Sequence, residues 1–387
     1  MEKHNNIHIY FRTPRQWIKN LAIKLGCSFS QEKTKQMFEK KSFKENILDL
    51  SKSIPWLPPL EWLIPYHLLT PIPDNTQLII ESGSKLIFTK KNYVVYVESG
   101  IGLFSYNTKK INKTNLFFFK RLIKKKNFKG FIFYSEASQE STKQIFIQAN
   151  IENLFSSMNL GVIYPYSSTE KKIIPNDTLN LSTSPIKLLF CSSSFNLKGG
   201  REVMLAFESL KHLNIELYLV TDEETLRNIS TKKLKNVNLI PFNLSTSEYL
   251  ELIKKIDIII HPTYFDTHAL SLLEGIKLKK PSIATNTFAI PEYIIDGVTG
   301  ILIENRYHPY DKLKKPNFSG KALTYAKKIE NMDTNLQLVE DIKKAIETLY
   351  SNIDSFNENC FKIRKNELND EYIITQWESI FKKYRNF

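Results

Sequence analysis

From Ile186 onward the chain alternates short, mostly apolar runs with amphipathic stretches, and no other pattern in it restricts the fold as much. Ile186 to Cys191, Ile215 to Val220, Val237 to Ile240, Ile256 to Ile260, Pro281 to Ala284 and Gly300 to Ile303 read as strands. Helical periodicity falls between them at Glu202 to His212, Ser247 to Lys255 and Ala269 to Leu278. A strand that is apolar on both faces must be covered on both, so this half predicts a parallel sheet between two layers of helices. The first half carries a fainter version of the pattern. Strands are expected at Ile7 to Phe11, Leu78 to Ile80, Tyr93 to Val97, Gly130 to Tyr134 and Val162 to Tyr164, with a helix at Gln139 to Ala149.

A chain of 387 residues is too long for one ordinary core. The span from Tyr166 to Pro185 is rich in Ser, Thr, Pro and Asn and lacks periodicity, which marks a linker. The predicted division is a domain over 1–165, a linker over 166–185, a second domain over 186–366 and a terminal segment over 367–387. Beyond Ile303, Glu304 to Ser319 reads as a loop, with helices at Gly320 to Glu330, Asn335 to Tyr350 and Asp370 to Tyr384. The last helix carries Tyr372, Trp377, Phe381 and Tyr384, which need burial, and it is expected to cross back onto the first domain.

Charge separates the halves. Residues 1–150 hold 24 Lys and Arg against 11 Asp and Glu, whereas 151–387 hold 30 against 29. The net +13 of the first part predicts an anionic partner there, either nucleic acid or an anionic lipid surface. Lysines from Lys109 to Lys129 surround Leu116-Phe117-Phe118-Phe119, a pairing that suits a membrane surface or, equally, a solvated helix with its rings in the core. The cluster shows no nucleic-acid motif, so nucleic acid is not expected as a partner. No run reaches the roughly 18 apolar residues of a bilayer span. The amino terminus lacks the features of a signal peptide. Cys27, Cys191 and Cys360 are too dispersed for zinc or a disulfide framework. A cytoplasmic protein is the expectation, with peripheral attachment at the inner face of the plasma membrane as an option.

In open parallel sheets ligands sit beyond the carboxyl ends of the strands. Two strand ends are unusually polar. The first, Ser192 to Arg201, contains Lys198-Gly199-Gly200 at a helix start, where amides and a lysine suit an anion; a glycine turn with a solvated lysine is the plain alternative. The second, His261 to Glu274, places Asp266 or Thr267 as a helix cap and Glu274 about two turns into an apolar helix face. An acid there is costly without a partner, and a ribose diol would be one; a simple cap and a solvent-facing glutamate is the alternative.

These motifs resemble the retaining glycosyltransferase family 4, which has the GT-B fold of two Rossmann-like domains facing a central cleft. Its signature of an acid, seven residues and Glu is matched by Asp266 and Glu274. The similarity continues through Lys280 to Thr285, Ile290 to Tyr293 and Asp296 to Ile303, and covers about 120 residues from Ile186. In the first half only Ser135-Glu136-Ala137 and Val162 to Pro165 match in outline. The resemblance implies a nucleotide-sugar donor with Lys198 on the diphosphate, Glu274 on the ribose, Asp266 on the transferred sugar, and amides of His268, Ala269 and Leu270 nearby. It implies hexosyl transfer with retention to a saccharide or lipid-linked acceptor, no metal and no cofactor; no Asp-x-Asp triplet occurs. A non-transferring homologue, an epimerase or an inactive scaffold, is the alternative. The chain departs from the pattern at Ser193, where the family usually has Arg, at Ser192, where it has Gly, and at His268-Ala269, in place of an aromatic-glycine pair. Arg201 is the nearest replacement cation. On the acceptor side Glu98, at the end of a strand, is the candidate, either catalytic or salt-bridged; His8 and His67 are weaker.

Overall fold

The computed structural model describes residues 4–11, 15–31, 50–69, 72–167, 184–230, 235–362 and 366–384. The expected linker lies almost entirely outside these residues. The chain divides into two units: 1–168 with 310–325 and 367–387, and 169–309 with 326–366.

The first unit holds a six-stranded sheet of β1 (Ile7–Phe11), β2 (Ser28–Gln31), β3 (Leu78–Glu81), β4 (Asn92–Val97), β5 (Phe128–Phe133) and β6 (Asn159–Val162), in the order β2-β1-β3-β4-β5-β6. Every pairing is parallel. Helices α1 (Gln16–Lys24), α2 (Lys113–Ile123) and α3 (Glu136–Gln148) accompany it. Its core is aromatic: Phe119 and Phe131 both meet the Phe146 ring edge to face, at 5.5 and 5.9 Å, a geometry that adds to simple area burial. The C-terminal helix, Asp370–Tyr384, belongs to this unit. Trp377 meets Tyr96 edge to face at 5.0 Å, Phe381 packs on His4, and the Tyr384 hydroxyl donates to the Lys129 carbonyl. Of the four rings that need cover, only Tyr372 stays exposed.

Several boundaries differ from expectation. Helix α3 starts at Glu136 because the Ser135 hydroxyl caps it, accepting the Ser138 amide at 3.0 Å. Strand β6 lies earlier than Val162 to Tyr164, because its ladder with β5 runs from Phe131 opposite Asn159 to Phe133 opposite Val162. Helix α1 and strand β2 are additional. Strand β2, Ser-Phe-Ser-Gln, has no apolar run, yet it is pinned by a buried histidine. His8 Nδ1 lies 2.9 Å from Ser28 Oγ and Nε2 lies 2.8 Å from Ser30 Oγ. Ser28 spends its hydroxyl hydrogen on the Ile7 carbonyl, so Nδ1–H donates to Ser28 and Nε2 accepts from Ser30.

Burial lowers the His8 pKa to about 4. Below about pH 6.5 the unfolded chain takes up a proton that the folded one refuses until about pH 4, so this contribution to stability fades as pH falls through that window. The melting temperature of a His8→Gln variant should therefore approach that of the natural chain as pH drops from 7 to 4.5; a constant gap would contradict it.

The second unit holds β7 (Ile186–Cys191), β8 (Ile215–Thr221), β9 (Val237–Pro241), β10 (Ile258–His261), β11 (Ser282–Asn286) and β12 (Gly300–Glu304), in the order β12-β11-β10-β7-β8-β9. All pairings are parallel, as the mostly apolar runs predict. Its helices include α4 (Gly200–Ser209), α5 (Thr246–Lys255), α6 (Leu270–Lys277) and α7 (Leu336–Lys362). Helix α7 extends past the expected Tyr350 to Lys362, with non-helical dihedrals at Asn352, and packs along α4. Strand order reverses between β7 and β10, and a ligand crevice belongs at that switch point.

Candidate donor site

The loops that leave β7 and β10 lie against each other at the switch point. The Tyr264 amide donates to the Leu197 carbonyl at 3.1 Å. Asn305, buried, donates to the carbonyls of Thr263 and Tyr264, and the Thr285 hydroxyl also donates to Thr263. Gly199 caps α4 in a left-handed conformation (φ +76°), and a Cβ there would lie 2.6 Å from the Pro262 carbonyl oxygen. Glycine at this position serves loop-on-loop packing as well as backbone approach. Gly199→Ala should cost about 1 kcal/mol for the dihedral alone, with the clash added, and thermal unfolding should show a loss at least that large.

Asp266 is the hub. Its Oδ1 accepts the amides of Thr267 at 2.7 Å and of His268 and Ala269 at 3.2 Å each. Its Oδ2 receives Lys198 Nζ at 2.5 Å and His261 Nε2 at 3.2 Å. Lys198 also donates to the Phe265 carbonyl. Burial alone would raise the Asp266 pKa, but Lys198 and then His261 outweigh it and hold the acid well below the usual carboxylate range. Burial lowers the pKa of His261 despite the pull of Asp266, so the ring is neutral and carries its hydrogen on Nε2. Ala269 holds φ +42° just before α6, a conformation that disfavours a residue with a Cβ. The result is a set of fixed donors aimed at one point, and that point holds a carboxylate.

Residues 176–314, which include both loops, match the family described as glycosyl transferases group 1. The similarity to this family lies in that segment of the chain. An uncharacterized glycosyltransferase of Methanocaldococcus jannaschii is 27% identical over 200 residues, which is 50% of this chain and 54% of that protein. The chain thus matches about half the length of this curated relative. Among solved structures, Anabaena HepE in complex with UDP-glucose superposes with a TM-score of 0.56 at 16% identity, covering 98% of this chain and all of the other. WaaG, a glycosyltransferase involved in lipopolysaccharide biosynthesis, gives 0.56 at 14% identity over 98% of this chain and all of its own. These likenesses show the GT-B fold.

Against the group 1 pattern, the second unit gathers Lys198, Gly199, Asp266, His268 and Ala269 at one place. Glu274, half-buried on α6, hydrogen-bonds the phenol of Tyr249 from α5, and Tyr249 also reaches Cys191 at the end of β7. Burial, and then Glu274, push the Cys191 thiol up to about 12, so it stays protonated. The glutamate therefore has the partner its place on an apolar face demands. Two residues stand apart. The Arg201 guanidinium donates to the Met332 carbonyl at 2.6 Å, and Ser193 is exposed beside the turn. His261, Asn305 and Tyr249 were not expected in the site. A histidine closing an apolar strand was the one cue to the first; the other two come from elements distant in sequence.

In the first unit, Glu98 follows β4 and its Oε2 accepts from Arg15 at 2.6 Å and from the Tyr106 hydroxyl at 3.1 Å. Its amide donates to Ser84 Oγ at 2.8 Å, and its carbonyl accepts from the Ser138 hydroxyl. It stands at the carboxyl end of the sheet, in a salt bridge.

Proposed function

We propose that the chain transfers a hexosyl group from a nucleoside diphosphate sugar to a hydroxyl of a saccharide or lipid-linked saccharide, with retention and without a metal. The observation that carries this reading is the convergence of Lys198 and the amides of residues 267–269 on one anion at the switch point of the second sheet, with Glu274 on α6, the helix that follows directly. A Lys and helix-leading amides are the groups a diphosphate needs. In the reaction the bond from the anomeric carbon to the diphosphate oxygen breaks and one to the acceptor oxygen forms, while the acceptor proton passes to the leaving phosphate. Negative charge grows on the diphosphate, and fixed donors in a sheltered site stabilise it most at the transition state. Protein cations then take the part a divalent ion plays elsewhere.

In this reading the domain over 186–366 binds the donor, with Glu274 on the ribose, and 1–165 binds the acceptor, with Glu98 as its candidate polar contact. Sugar polymer or glycolipid assembly at the cytoplasmic side of a membrane is the setting, supported by the +13 of residues 1–150. UDP-glucose, the ligand of HepE, is the first donor to test. Ser193 in place of arginine favours the second reading, a homologue that binds the donor but does not transfer it. Release of UDP in the presence of a saccharide acceptor separates the two.

The Asp266 carboxylate occupies the point where the donors meet, so a diphosphate competes with it for Lys198. Asp266→Asn should thus leave UDP affinity equal or higher while transfer falls about tenfold or more, consistent with removal of one oriented charge. Weaker UDP binding in calorimetry, with unchanged melting temperature, would contradict this.

A further inference from the structure

Four side chains of the first unit tie down one loop. Asn107 Nδ2 donates to the Lys52 carbonyl, Lys110 Nζ to those of Ile54 and Leu57, and both Asn112 and Asn115 donate to that of Pro55. Lys110 and Asn115 are fully buried in doing so. The loop between these anchors carries Trp56, which is 67% exposed. A tryptophan held out on an immobilised backbone is a built feature, since a free loop would fold the ring against the protein to recover its apolar area.

Helix α2 begins beside this loop, its cap Asn112 and its buried Asn115 being two of the clamps. Along α2, Lys113, Phe117, Arg121 and, just past its end, Lys124 are exposed and spaced on one face, with Thr114 exposed beside them. Phe119, by contrast, enters the core and Phe118 packs at its margin. Phe117 is 53% exposed with the Arg121 guanidinium over its ring at 5.0 Å. Lys125 lies over the half-exposed Phe88 ring at 4.6 Å. The face so formed joins apolar rings to cations and contains no acid between Lys109 and Lys129.

We propose that Trp56 and the outer face of α2 form the surface by which this protein docks on an anionic lipid bilayer, with Trp56 and Phe117 entering the headgroup layer and Lys113, Arg121, Lys124 and Lys125 facing lipid phosphates. The proposal deepens the membrane setting of the proposed function and names its residues. Tryptophan settles at the membrane interface because its ring is apolar and its N–H polar. Basic side chains near an anionic leaflet each strengthen binding by about fivefold. Neither effect alone anchors a protein, and two weak signals on one face give reversible attachment.

The test uses the intrinsic fluorescence of the full-length protein. Of its four tryptophans, Trp17, Trp62 and Trp377 are buried, so a change in emission on binding reports on Trp56. Vesicles of phosphatidylglycerol and phosphatidylcholine should shift the emission to the blue and, with brominated acyl chains, quench it. Pure phosphatidylcholine should do neither, and salt should weaken the effect. Trp56→Phe should abolish the optical change, and Lys113→Gln with Lys124→Gln should weaken co-sedimentation about fivefold for each charge removed. UDP binding, measured in parallel, should be the same in all three proteins, so loss of docking and failure of the donor reading give different results. No shift with anionic vesicles would overturn the proposal. So would a shift produced by single-stranded RNA and not by vesicles.

Discussion

Lys198→Ala should lower the proposed sugar transfer by about 100- to 1000-fold, the scale of losing one fixed donor to a developing oxyanion, while the protein still folds. Two features of the site support both halves of that result. Lys198 is the cation at the switch point that touches the anion centre directly, at 2.5 Å from Asp266, whereas Arg201 is committed to Met332 at 2.6 Å. Nothing at Ser193 replaces the charge. Asp266, however, keeps three amides and His261 when the lysine is gone, so the loop retains its hub. An ion pair sheltered this far is costly to break, and a drop in melting temperature should accompany the loss of activity. The kinetic pattern separates charge from packing: Lys198→Arg should recover part of the rate, whereas Lys198→Met, which keeps the length and apolar stem, should recover none. Equal activity of the alanine variant and the natural protein would remove Lys198 from the diphosphate.

Glu274→Ala should weaken donor binding by about 100-fold, since a carboxylate that takes two hydroxyls supplies two charge-assisted hydrogen bonds at roughly 1.5 kcal/mol or more each. The loss should appear in KM and should shrink to about tenfold when the donor lacks its 2′-hydroxyl, because that donor forgoes one of the two bonds already. Tyr249 enters this expectation through its hydrogen bond to Glu274. Tyr249→Phe frees the carboxylate to rotate, so it should raise KM for the ordinary donor by less than Glu274→Ala does and narrow the preference over the 2′-deoxy donor. An unchanged preference in Glu274→Ala would place the ribose elsewhere.

The second sheet was legible because physical necessity writes it plainly. Strands β7 and β10 are covered on both faces, so they must be largely apolar, and their ends had to be where polarity begins. The acid pair was visible for the same reason: Glu274 interrupts an apolar helix face, and such an interruption demands a partner. What that partner is in the folded protein, the Tyr249 phenol, was not legible, since α5 reaches it only through the order of strands in the sheet. Asp266 was expected to cap a helix or hold a sugar. It gathers the amides of Thr267, His268 and Ala269 and the ammonium of Lys198 onto its own carboxylate, a geometry set by a left-handed alanine that no periodicity announces.

The first unit was harder to read because its strands depend on aromatic and polar partners from elsewhere. Strand β2 reads as polar, yet Ser28 and Ser30 are the hydroxyls that His8 requires. Similarly, three phenylalanines in a row on α2 carry no label saying which is core. The fold buries Phe119 and leaves Phe117 outside. Charge counting located the basic half but not its face; the clamps on the Trp56 loop come from Asn107 to Asn115, some fifty residues away in sequence.

If Lys198 and Glu274 serve one donor, titration calorimetry of UDP into the natural protein, Lys198→Ala, Glu274→Ala and the double variant should read both contributions. Binding to the natural protein should be measurable, binding to each single variant weaker, and the double variant should lose both contributions while all four proteins keep a cooperative melting transition. Undiminished UDP affinity in either single variant, with the fold intact, would contradict it.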